Sequence, residues 1–148
     1  MQPCTFCQIS SAKNNPTKFW EDDEFFAILD LYPNTKGQTL VIPKLHYDSN
    51  IFKLEDELYL RLMSASKKVA EMLVNKLPIK RVAMVCEGMG INHAHVKLYP
   101  MHGLENEFQE MLGSHQVYYE KYVGEISTLM GPKADIEELK KLARMLKT

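Results

Sequence analysis

Within "GINHAHVKLYPMHG", residues 90–103, polar side chains recur at every second position: His93, His95 and Lys97. Ala94, Val96 and Leu98 stand between and after them. A neutral imidazole titrates near about pH 6.5, so at neutral pH it can be a nucleophile, a proton carrier or a metal ligand. On a strand, alternation puts His93, His95 and Lys97 on one face and Ala94, Val96 and Leu98 on the other. The apolar face is then expected to pack under a helix, and the polar face to look into solvent or a cleft. Attack on phosphorus suits the polar set. His95 would be the nucleophile and Lys97 a fixed positive charge for the phosphoryl oxygens. Backbone N–H groups of the Gly88-Met89-Gly90 turn would be further donors. A metal site, or an edge strand with two idle imidazoles, fits the same spacing. The residues alone leave all three readings open.

The N-terminal Cys4-Thr5-Phe6-Cys7 is half of a tetrahedral zinc site and needs two more soft or imidazole ligands. Its alternative is a pair of reduced thiols in a loop. With Cys86 the chain has three cysteines, which do not make a disulfide framework.

The elements that must position these groups follow from the hydrophobic pattern. "FFAILDL", residues 25–31, is an apolar run ending at the turn signal Tyr32-Pro33-Asn34. A second run, Thr39 to Ile42, is stopped by Pro43, and the two predict an antiparallel pair. Over residues 53–77 the period changes. Leu54, Leu58, Leu62, Ala65, Val69, Met72 and Leu73 recur at three- and four-residue steps, predicting an amphipathic helix. Residues 80–88 predict a third strand and "HAHVKLY" a fourth, stopped by Pro100. One short helix is expected within residues 104–121. After Gly131-Pro132, Asp135 caps a last helix with Glu138 as its capping partner. Ile136, Leu139, Leu142, Ala143 and Leu146 make its apolar stripe. Lys140, Lys141, Arg144 and Lys147 near its end complement the helix dipole and read as a solvated face. This order of elements predicts an α+β domain on an antiparallel sheet.

Composition sets the outer bounds. A chain of 148 residues, 45% hydrophobic and 25% charged, fits one soluble domain. A net charge of −1 argues against a general nucleic-acid binder. The sequence holds no run of about 18 apolar residues to span a bilayer, and its start lacks a basic-then-apolar secretory pattern. A cytoplasmic protein with no membrane partner is expected.

Taken in order, the motifs say more than any one of them. "FWEDDEFFAILDLYPNTKGQTLVIPKLHY", a long helix and "EGMGINHAHVKLYP" resemble the histidine triad (HIT) superfamily of nucleotide hydrolases and transferases, over roughly residues 4–103. The resemblance implies one HIT-like α+β domain over 1–148, with about five antiparallel strands, one long helix and a C-terminal extension ending in a helix. It implies His95 as the nucleophile that takes a nucleoside monophosphoryl group from phosphoramidates or dinucleoside polyphosphates, with His93 in support. Asp30 matches the residue that holds the ribose hydroxyls, although an aspartate before Tyr32-Pro33 is also a natural turn cap. Phe6, Ile9, Ile28 and Leu31 match the apolar base pocket, where ordinary core is the alternative. Gly88 and Gly90 bound the turn near the phosphate. His46 and His93 complete a structural zinc site with Cys4 and Cys7. A homodimer is implied, and no organic cofactor. His102 and His115 lie outside the pattern.

Three departures stand out. Lys97 occupies the third triad position, Gln38 replaces an imidazole before the Leu-Val-Ile-Pro strand, and Cys86 replaces a polar amide. Lys97 and Gln38 favour, as rival, a nucleotide-binding or interaction module that keeps the fold without turnover. A zinc-dependent hydrolase using His93 and His95 together is a third reading, weakened because no further ligand stands near.

Overall fold

A computed structural model describes residues 4–13, 15–128, 131–139 and 146. Contacts divide the chain into two compact units, residues 1–108 and 109–148.

In the first unit, helix α1 (Thr5–Ser11) precedes strands β1 (Lys18–Glu21), β2 (Phe25–Leu29) and β3 (Thr39–Pro43). A short 3-10 turn at Ile51–Lys53 leads into helix α2 (Asp56–Lys76), then β4 (Ile79–Val85) and β5 (Val96–His102). The five strands form one sheet in the order β1-β2-β3-β5-β4, every neighbouring pair antiparallel. The α+β reading therefore holds.

Local chemistry explains the boundaries. The β1–β2 turn closes because the Asp22 carboxylate accepts the backbone N–H groups of Glu24 and Phe25 at 2.9 and 2.8 Å. Asp56 and Glu57 lie in the first turn of α2, where negative charge meets the positive end of the helix dipole. Leu77-Pro78 ends the helix, since proline disfavours helical geometry in the residue before it. The expected span of 53–77 shortens to 56–76, and Leu54 packs from outside the helix.

Helix α2 covers one face of the sheet. Leu58, Leu62, Ala65, Val69 and Leu73 bury its apolar stripe against Phe25, Ala27, Val41, Val96 and Leu98. Side chains alternate along a strand, so Phe26, Ile28, Leu40 and Ile42 point to the opposite face and form a second cluster there with Phe6. The candidate functional residues lie on that second face. Cys86 packs against the α2-side cluster, where burial pushes its thiol up.

In the second unit, Asp135 caps a helical turn over 136–139, its carboxylate accepting the N–H groups of Glu137 and Glu138 at 2.8 and 3.1 Å. Ile136, Leu139 and Leu146 are exposed. Leu142, Ala143, Lys140, Lys141, Arg144 and Lys147 lie outside the described residues. The short helix expected within 104–121 is not formed: that stretch is bends and irregular chain with one isolated bridge residue, Gln116. Its polar and aromatic positions have no helical period to bury.

Candidate functional site

The strand β5 begins at Val96, so His93 and His95 lie in its approach and not in the ladder. The cause is a competing set of bonds. The Ala94 N–H goes to the Tyr47 carbonyl at 3.0 Å and the His93 N–H to the Ile91 carbonyl at 2.9 Å. Both imidazoles are buried, His93 fully and His95 at 4% exposure, so the polar face is not one open to bulk solvent.

His95 Nδ1 lies 2.7 Å from the His93 carbonyl oxygen. A carbonyl only accepts, so Nδ1 carries the proton and Nε2 keeps its lone pair. The Phe6 ring meets His95 edge-on at 5.3 Å between centroids. Burial is the main force holding His95 below the ordinary imidazole range, and Lys97 acts in the same direction. The His93 bond, Glu87 and Asp30 pull the other way. The neutral, nucleophilic form is thereby favoured.

Lys97 is not a lone cation. Its register partners are Leu40 on β3 and Val85 on β4, so it points to the same face as Leu40, away from α2. There its ammonium meets Glu87 at 3.2 Å, and both side chains are mostly buried, at 24% and 11% exposure. Glu87 has no place among the residues singled out from the sequence. The sequence hint was only general, that a lysine on a half-buried face calls for a counter-ion; the pairing of β4 with β5 is what singles out Glu87.

Asp30 and Gln38 are joined. Gln38 Nε2 donates to Asp30 Oδ2 at 2.7 Å, and its Oε1 accepts the Asn34 N–H at 2.9 Å. Asp30 Oδ1 accepts the Tyr32 N–H at 2.9 Å, which is the turn cap read from the sequence. An ionised carboxylate has about four acceptor positions, so a ligand hydroxyl can still be taken. Gln38 is buried at 5% exposure, and its amide orders this carboxylate in addition to removing an imidazole.

Phe6 and Ile28 are buried together, with Ile9 against them. Leu31 does not join them; it is 71% exposed just past the end of β2. Gly88 and Gly90 have φ of +73° and +90°. A Cβ at Gly88 would stand 2.6 Å from the Ser49 carbonyl oxygen, so this turn needs glycine for space as well as for backbone angle. Among the described residues, no acceptor takes the N–H of Gly88, Met89 or Gly90.

Beside the imidazoles, one ligand atom from each of Cys4, Cys7, His46 and His93 falls within 4.8 Å of all the others. Nitrogen to sulfur distances are 3.3 Å for Cys4–His93, 3.5 Å for Cys7–His46 and 3.6 Å for Cys7–His93. Bonds of about 2.3 Å to sulfur and 2.0–2.1 Å to nitrogen place tetrahedral ligands about 3.5 Å apart, so the set fits a metal ion of that geometry. His93 Nε2 donates to the Pro43 carbonyl at 2.9 Å, which leaves Nδ1 as the lone-pair nitrogen facing the thiols. Burial lowers the proton affinity of His93, and burial together with Cys4 raises that of the Cys7 thiol. His102 bonds instead to the Lys36 carbonyl.

A family model described as the HIT domain matches residues 11–107. The chain belongs to the HIT domain family. Its HIT domain is similar to "Protein hit" of Bacillus subtilis, with 31% identity over 117 residues, 76% of this chain and 80% of that protein. The crystal structure of SMU.412c from Streptococcus mutans matches with a TM-score of 0.70 at 26% identity, covering 99% of this HIT chain and 85% of the other. A HIT family hydrolase from Legionella pneumophila matches with a TM-score of 0.56 at 25% identity, over 69% of this chain and 94% of its own. Among the described residues, no helix is long and apolar enough to cross a membrane.

Proposed function

We propose that the chain is a nucleotide hydrolase or nucleotidyltransferase acting at the α-phosphorus of nucleoside phosphoramidates or dinucleoside polyphosphates. The observation that carries this reading is the bond from His95 Nδ1–H to the His93 carbonyl, which presents Nε2 as a buried lone pair. Membership of the HIT domain family, and likeness to a protein named as a HIT family hydrolase, support it.

His95 Nε2 forms a bond to phosphorus while the bond to the leaving group breaks, its electron pair going with that group, which takes a proton from solvent. Water then attacks the nucleotidyl-histidine. The N–P bond breaks, a nucleoside monophosphate and a proton are released, and the imidazole regains its lone pair. Another acceptor in place of water makes the step a transfer. Lys97, standing in the third triad position, and the N–H groups of the Gly88–Gly90 turn stabilise the charge on the phosphoryl oxygens. Asp30, ordered by Gln38, takes the ribose hydroxyls, and Phe6, Ile9 and Ile28 take the base. Leu31, also assigned to the base, could serve only from the exposed rim.

Cys4, Cys7, His46 and His93 would hold zinc, a soft and borderline donor set suited to that ion. Bound there, zinc would tie α1 to the loop carrying His93 and so fix the carbonyl that orients His95. Its role would be structural. A homodimer through the sheet edge at β4 and through α2 belongs to the same reading.

The test is release of nucleoside monophosphate from a panel of phosphoramidates and dinucleoside polyphosphates, with wild type beside His95→Ala. Turnover lost in the variant, with adenosine monophosphate still bound, supports the covalent route; equal turnover removes His95 from its role. The Lys97–Glu87 pair favours one other reading, a nucleotide-binding module without turnover. Binding with no turnover on any substrate would establish it.

A further inference from the structure

The charges around His95 do not resemble a general anion trap. Three charged groups act on its ring: Lys97, Glu87 and Asp30. Lys97 is neutralised in place by Glu87 at 3.2 Å, at a position where water reaches neither side chain freely. Among the described residues, no ion pair reaches Asp30. Its carboxylate is held by the Gln38 amide and the Tyr32 N–H, both uncharged donors. Of the charged groups that act on the His95 ring, one is a cation and two are carboxylates.

Glu87 is held there by the fold. Val85 pairs with Lys97 across the β4–β5 ladder, and alternation returns Glu87, two residues on, to the face that Lys97 occupies. The following Gly88 turns at positive φ against the Ser49 backbone, which fixes where β4 releases the chain.

A phosphorus centre with one ionised oxygen can be met by the partly neutralised Lys97 and by the Gly88–Gly90 amides. A leaving group that brings further phosphates adds negative charge beside Glu87. We propose that Glu87 is a specificity-determining residue, which through Lys97 selects against substrates whose leaving group is anionic and favours those whose leaving group is neutral or cationic. This inference rests on the reading of His95 given above and decides between the two substrate classes that reading allows.

Charge arithmetic supplies the test. The pair sums to zero in the wild type, to +1 in Glu87→Gln, to −1 in Lys97→Gln and to zero again in the double variant. At an effective dielectric of about 20, one unit charge several ångströms away changes the binding of an added anionic charge by about tenfold or more. Two ratios are measured in all four proteins. One is kcat/KM for an adenosine phosphoramidate of a primary amine over that for a dinucleoside polyphosphate. The other is the calorimetric affinity for adenosine diphosphate relative to adenosine monophosphate.

Glu87→Gln is expected to raise diphosphate affinity about tenfold relative to monophosphate and to narrow the kcat/KM ratio by a similar factor. Lys97→Gln is expected to move both the other way, and the double variant to return them towards wild type. A purely structural role would lower both substrates together and leave the ratios fixed. Identical ratios in all four proteins overturn the inference, as does a wild type that prefers the polyphosphate. His95→Ala runs alongside. Turnover that survives it removes the nucleophile reading, whereas the binding ratios report on Glu87 independently of turnover.

Discussion

His95 donates its Nδ1–H to the backbone carbonyl of His93, 2.7 Å away, while the side chain of His93 turns its own Nδ1 toward Cys4 at 3.3 Å. The proposed nucleophile and the Cys4–Cys7–His46–His93 cluster therefore share one residue. His93 serves the cluster with its ring and His95 with its backbone. Whatever orders the cluster also orders the nucleophile.

Metal removal follows directly from that sharing. The purified protein is expected to carry one zinc per chain by elemental analysis, and Cys4→Ser or Cys7→Ser to lose it. A structural site contributes to folding, so the thermal midpoint should fall by several degrees or more in these variants and after chelation. Acid should act like the chelator, because the thiols must give up protons to bind. An unchanged midpoint with no metal in the wild type would rule out the zinc assignment.

Gly88 offers a test of backbone geometry. Gly88→Ala puts a Cβ at positive φ and 2.6 Å from a carbonyl oxygen. A loss of about 1–3 kcal/mol in urea unfolding is expected. Gly90→Ala has open space around it and should lose less. Equal effects at the two positions would mean that the contact with Ser49 carries no weight.

Gln38 satisfies two partners at once, the Asp30 carboxylate and the Asn34 N–H. Gln38→Ala removes both bonds, and because Asn34 is exposed and Asp30 half-buried the cost is about 0.5–1.5 kcal/mol. Gln38→Glu places a carboxylate against Asp30 and should be worse. Chemical denaturation of the two variants side by side checks the order.

Much of this was legible in the sequence. Most of the three- and four-residue period read from Leu54 to Leu73 returns as the buried stripe of α2, and the apolar runs at 25–31 and 39–42 return as β2 (Phe25–Leu29) and β3 (Thr39–Pro43). Cys4, Cys7, His46 and His93 converge although up to 89 positions separate them. What period could not supply was the set of bonds that override it. The alternation at 93–98 looks like a strand throughout, yet Tyr47 takes the Ala94 N–H and delays β5 to Val96. Strand β1 has four residues and an irregular register with β2, too short to announce itself by alternation. Leu31 continues the apolar run of β2, but the turn capped by Asp30 carries it out to solvent. Glu87 became visible only once β4 lay beside β5.

Leu31 and Phe6 make a matched pair for testing the apolar cluster. Phe6 is buried against His93 and His95, so Phe6→Ala should cost about 3–5 kcal/mol and weaken nucleotide binding. Leu31→Ala, at an exposed position, should change stability by no more than about 0.5 kcal/mol. Equal losses would contradict the division between cluster and rim.

The most direct test is to catch the intermediate. Wild-type protein mixed with a nucleoside phosphoramidate and quenched within the first turnover should gain the mass of one nucleoside monophosphoryl group. Peptide mapping should place that group on His95, and His95→Ala should show neither the adduct nor turnover. Turnover that proceeds with no adduct at any quench time, and that survives in His95→Ala, would contradict the account.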